Sequence, residues 1–162
     1  MLTAPQHAAW FLVVVATVLF ASPLSAIQPP DVPTAPIPVQ ILSAHKVFIS
    51  NGESTGIEWP PTLVYDAFYA GMKNWGKYEL VSTPVDADVV FEVRYLERIY
   101  TAPAERVQIL VLDPKTHVTL WQLMEPIQNW ARDDTGRKNF GLAMDALMND
   151  VKKLVAGPGD KH

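Results

Sequence analysis

Gly52-Glu53-Ser54-Thr55-Gly56 matches the G-x-S-x-G pattern of a nucleophile elbow, in which a sharp strand-to-helix turn presents a serine to a base. That chemistry needs a strand running into the turn and a helix opening at the serine. Here Ser50-Asn51 separates the preceding apolar stretch from the motif, and Pro60-Pro61 postpones the next helix, so the pentapeptide reads as a Gly/Ser turn. Asp88 and Asp113, with His117 or His162, follow Ser54 in hydrolase order. His117, however, belongs to a hairpin and His162 is the final residue. A small serine hydrolase using Ser54 is therefore the last of three functional readings.

Other reactive residue types are as sparse. The 4 histidines are scattered and one, His7, lies in an apolar leader, so no histidine metal site is expected. Asp86 with Asp88, and the Asp133-Asp134 pair, do not continue into a ligand-spaced calcium loop and read as turn and helix-capping residues. No cleft is indicated for paired-carboxylate glycoside chemistry. With Cys 0 there is no thiolate metal site, cysteine nucleophile, disulfide or lipid anchor through an N-terminal cysteine. No cofactor and no catalysis are expected. Among the 5 tryptophans, Trp10 belongs to the leader and Trp75 to a helix core stripe, while Trp121 fits either side of a strand. Trp59 and Trp130 fall in loops and are contact candidates, which keeps a glycan-binding module as the alternative reading.

The chain that must position these residues has 162 of them, 49% hydrophobic and 19% charged, enough for one core behind a short appendage. Its 13 Lys+Arg against 17 Asp+Glu leave no basic excess for a phosphate backbone, so nucleic acid is excluded as a partner. Residues 1–26 contain no Asp, Glu, Lys or Arg. Within them Ala8 to Ala21 is apolar, and Ser22-Pro23-Leu24-Ser25-Ala26 ends the run with a helix breaker and small residues, the pattern of a secretory signal peptide cleaved after Ala26. The run would span only about 21 Å as a helix, against about 30 Å of bilayer hydrocarbon, so no stable membrane span is expected after cleavage. Retention as an N-terminal anchor is the alternative.

Residues 27–44 carry Pro29, Pro30, Pro33, Pro36 and Pro38 and read as an extended strap or linker, with Val32, Ile37, Val39 and Ile41 as alternating apolar positions. A single domain is expected over 45–156, followed by a flexible tail over 157–162. Its elements are a strand at Lys46 to Ser50 and a helix from Pro60-Pro61-Thr62 to Gly76, with Val64, Phe68, Gly71/Met72 and Trp75 as its stripe. Strands follow at Tyr78 to Ser82, Asp88 to Leu96, Arg106 to Leu112 and Val118 to Met124. A last helix from Arg137 to Val155 carries Phe140, Met144, Leu147, Val151 and Leu154 on one side. Asp113-Pro114-Lys115-Thr116-His117 closes a hairpin in which His117 should take a left-handed conformation. The order β-α-β-β-β-β-α gives an α+β two-layer sandwich, a mixed sheet of about five strands with two helices on one face.

The segments Lys46-Val47-Phe48-Ile49, Trp75-Gly76-Lys77-Tyr78-Glu79-Leu80-Val81, Ala87-Asp88-Val89-Val90-Phe91-Glu92-Val93 and Leu112-Asp113-Pro114-Lys115-Thr116 with Leu120-Trp121 carry a resemblance. Over residues 45–156 the chain resembles small exported bacterial envelope proteins of unknown function. More distantly it is similar to the N-terminal domain of the Tol-system propeller protein and to lipoprotein activators of cell-wall synthases. The resemblance implies a periplasmic protein-interaction domain and carries over no catalytic residue.

In the strand Asp88 to Leu96, Val89, Phe91, Val93 and Tyr95 share the core face. If this strand pairs antiparallel with the next, the opposite face sets Val90 beside Leu110 and Leu112 at one end, with Glu92, Arg94 and Gln108 at the other. That half-apolar face is either covered by the strap or a loop, or serves as a surface for an envelope protein partner or self-association. Val90, Leu110, Leu112, Trp59 and Trp130 are the candidate interaction residues.

Overall fold

The computed structural model describes residues 35–53, 62–98, 104–128 and 133–157. In chain order these form α1 (Val39–Leu42), β1 (Lys46–Asn51), α2 (Leu63–Trp75), β2 (Glu79–Leu80), a single 3-10 turn (Pro84–Asp86), β3 (Val89–Leu96), β4 (Glu105–Leu112), β5 (Thr119–Ile127) and α3 (Asp133–Ala156). The strands make one mixed sheet in the order β2-β1-β3-β4-β5. β1 pairs parallel with both β2 and β3, while β3, β4 and β5 form an antiparallel meander. The architecture is the α+β sandwich expected from the sequence.

One face of the sheet supplies the core. Val47 and Ile49 of β1, Val89, Phe91, Val93 and Tyr95 of β3, and Val107, Ile109 and Val111 of β4 are all buried on it. Strand alternation puts every second residue of adjoining strands on one side, and here those positions are β-branched or aromatic without a break. Against this face lie Val64, Phe68 and Met72 of α2 and Met144, Leu147, Val151 and Leu154 of α3, residues at helical spacing. Phe68 and Phe91 meet across the layers with ring centroids 5.9 Å apart. α2 stops where Gly76 takes φ 67, a left-handed C-cap whose N–H donates to the Met72 carbonyl. Trp75 is half-buried rather than a full core residue and meets the Tyr78 ring edge-on at 5.6 Å. Burial without a hydrogen-bond partner pushes the Tyr78 phenol up to about 12.

Several boundaries differ from the sequence reading. The segment 27–44 is not extended throughout. After Pro38, at the N-cap, Val39–Leu42 turn into a short helix that buries Ile41 and leaves Val39 exposed. The prolines end at Pro38, so nothing further along removes a backbone donor, and helical spacing replaces the expected alternation. With Ile41 and Ala44 in the core cluster and Ile37 packed against it, residues 37–44 wrap the domain. β2 shrinks to Glu79–Leu80, and Tyr78 just before it turns its ring into the core. β5 runs on through Ile127, which is buried, although Pro126 lies within it. α3 opens at Asp133, so the aspartates read as capping residues lie within its first turn. Residues 1–34, including the proposed leader, and the tail 158–162 lie outside the described residues.

Candidate functional site

The second face of the sheet is the one that α1, α2 and α3 do not occupy, and the observed register lays it out as four rows. The first is Phe48, Val90 and Leu112, followed by Ser50, Glu92, Leu110 and Gln122. Arg94, Gln108 and Met124 make the third row, and Leu96, Arg106 and Pro126 the fourth. The antiparallel pairing of β3 with β4 therefore puts Val90 with Leu110 and Leu112 at one end and Glu92, Arg94 and Gln108 toward the other, as the sequence implied. The face passes from apolar to polar along the strands.

Burial sharpens this layout. Val90 is only 6% exposed, because it is the smallest member of its row and stands between Phe48 and Leu112. It thus lies beneath the surface that its neighbours present. Leu110 and Leu112 are half-buried, as are Phe48 and Met124. Trp59 and Trp130, the two loop candidates, lie outside the described residues, as does Ser54.

At the polar end, the Arg94 guanidinium is held by its own strand neighbour. Its Nε donates to Glu92 Oε1 at 2.7 Å, and Nη2 forms an ion pair with the same oxygen. Gly52 extends the line of β1 beside them, its N–H donating to the Val93 carbonyl. A Cβ on Gly52 would stand 2.7 Å from Arg94 Cγ and 2.9 Å from Glu92 Cγ, so this position admits the pair only because it carries no side chain. Arg106 differs. Its Nε is buried and finds no acceptor, and among the described residues its guanidinium makes no ion pair. Gln108, 8% exposed, stands opposite Arg94 in its row.

The aspartates once set beside Ser54 have structural partners. Asp88 accepts from the backbone N–H groups of His45 and Lys46, both at 2.8 Å, and so ties the start of β3 to the start of β1. Asp113 accepts from the N–H groups of Lys115 and Thr116, and Gln40 of α1 donates to its other oxygen at 2.9 Å. These donors hold both carboxyls below their ordinary range. His117 has φ 58, the left-handed closure expected of the hairpin. With Gln40, Ser43, Asp86 and Lys115, the two aspartates line a polar pocket of about 450 Å³. Among the described residues no group of three or more His, Cys, Asp or Glu could hold a metal ion, and no helix is long and apolar enough to cross a membrane.

Both sheet edges are blunted. β2 is two residues long. β5 has a register shift where Leu112 meets Thr119, the acidic Glu125 on its core side, and Pro126, which cannot donate to a ladder. Docking by strand addition is disfavoured at both edges, which leaves the second face as the extended surface of the sheet. Sequence reasoning missed Phe48, Met124 and Arg106 there. The alternation of β1 and β5 encodes the first two once the register is known, and Arg106 stands two residues before Gln108 on the same side.

No family model matches the chain, and no curated protein matches it in sequence. Solved structures with a related chain path include a dodecamer of a PelC variant from Paraburkholderia phytofirmans, 13% identical with TM-score 0.47, covering 66% of this chain and 86% of that one. A hypothetical protein of Chlamydia trachomatis is 14% identical with TM-score 0.44, over 67% of this chain and 93% of its own. An uncharacterised lipoprotein B of Nitrosomonas europaea is 12% identical with TM-score 0.42, over 76% and 88%.

Proposed function

We propose that the chain is an exported, non-enzymatic envelope protein that docks a protein partner on the second face of its sheet. The observation that supports this reading is the half-buried apolar group Phe48, Leu110, Leu112 and Met124 on the face that the described helices leave open. The leader-like residues 1–26 and the resemblance to exported envelope proteins support the location. The blunted edges favour face docking over strand exchange.

A photo-reactive residue at position 112 in the full chain, expressed in a cell with two membranes, tests this. Discrete adducts of higher mass are expected on irradiation, with none from the same group at Lys73, which is exposed on α2. Equal adducts from both positions, or none from position 112, would overturn the reading.

A further inference from the structure

We propose that the polar end of the second face receives a carboxylate: Arg106 binds an Asp or Glu side chain of an extended, otherwise apolar segment of a partner protein. This rests on the docking face proposed above and names what that face selects. Of the two arginines on the face, Arg94 is already neutralised by Glu92. Among the described residues Arg106 makes no ion pair, and its buried Nε lacks an acceptor. A guanidinium without an ion pair on a half-buried arginine is complementary to a planar carboxylate, which accepts two parallel N–H bonds from the terminal nitrogens of the fork. A phosphate would meet the charge equally well. The rows beside Arg106, however, carry Gln108, Met124, Leu110 and Leu112, and the one other cation there, Arg94, is held by Glu92, so the surroundings fit a peptide with apolar neighbours. An exposed lysine or arginine on the partner would face two guanidiniums against the single carboxylate of Glu92.

The test pans a displayed library of random nine-residue peptides against the purified full chain. Recovered peptides are then measured by fluorescence anisotropy on the parent, Arg106→Glu and Leu110→Asp proteins, each first shown by thermal melting to be folded. Enriched peptides should share an Asp or Glu flanked by apolar residues and bind Arg106→Glu at least tenfold more weakly. Panning on Arg106→Glu should enrich Lys or Arg instead. Peptides with no acidic preference, weakened by Leu110→Asp and indifferent to Arg106→Glu, would overturn the carboxylate assignment and leave the docking face standing. Failure to enrich any peptide, or binding indifferent to both substitutions, would overturn both. Retention on phosphatidylglycerol vesicles that Arg106→Glu abolishes, without an acidic peptide preference, would assign the arginine to lipid and overturn the proposal. A concentration-dependent dimer of the parent that Arg106→Glu dissolves would overturn it in favour of a second copy.

Discussion

The two faces of β3 and β4 share a backbone and differ in every other respect. On the helix side, Val89, Phe91, Val93, Tyr95, Val107, Ile109 and Val111 are buried in succession. On the other side the interleaved residues include the Glu92–Arg94 ion pair, Arg106, whose buried Nε has no acceptor among the described residues, and the half-buried Leu110 and Leu112, and only Val90 and Gln108 are buried. An ionised group at any of these buried positions would lose hydration without a partner. The second mixes charged and apolar groups, as the accessible side of an antiparallel sheet does. Stability resides in the first face, and the proposed docking in the second.

The largest expected effect breaks the first face. Phe91 is fully buried and packs against Phe68. Phe91→Ala should cost about 3–5 kcal/mol in urea unfolding, because transfer free energy and cavity terms add. Leu112→Ala, on the other side of the sheet, should cost about 1 kcal/mol, since the side chain is only half-buried. Equal losses would mean that the second face is as dry as the first.

A smaller effect is expected at the edge of the second face. Gly52→Ala places a Cβ against the stems of Arg94 and Glu92, at 2.7 Å and 2.9 Å. The pair must move, with a loss of about 1–2 kcal/mol in the same unfolding measurement.

Charge supplies the smallest effects, and they carry opposite signs. Asp88 has its carboxyl pKa lowered by the backbone N–H groups of Lys46 and His45. Its contribution is fully present above the ordinary carboxylate range and is lost as pH falls through the lowered folded value. Asp88→Asn should cost about 1 kcal/mol at neutral pH, a figure kept low because the group is exposed to solvent, and should flatten the acid limb of a melting-temperature profile. Glu125 is raised by burial and by its neighbour Asp150. A raised folded pKa favours the protonated form, so stability is lost as pH rises through it. Glu125→Gln should therefore add a few tenths of a kcal/mol near neutral pH, an increment that disappears in acid.

The core face was legible because alternation over Val89 to Tyr95 and helical spacing over Val64, Phe68 and Met72 state directly which side is buried. The left-handed His117 was legible from turn chemistry. The second face was only half legible. Which of its apolar residues stand exposed depends on neighbours that come from β1 and β5, and the parallel pairing that seats Phe48 beside Val90 is not encoded in either strand alone. The short α1 was hidden by the prolines that precede it. The two tryptophans and the serine singled out for chemistry fall outside the described residues, so the structure leaves those readings where the sequence put them.

Ile109 and Leu110 are neighbours on β4 that point to opposite faces, and the thermal melts of Ile109→Asp and Leu110→Asp in the full chain test the division most directly. Ile109→Asp is expected not to fold, whereas Leu110→Asp should melt cooperatively within a few degrees of the parent and lose the photo-adducts formed from position 112. A Leu110→Asp protein that unfolds like Ile109→Asp, or one that folds and keeps those adducts, would contradict that division.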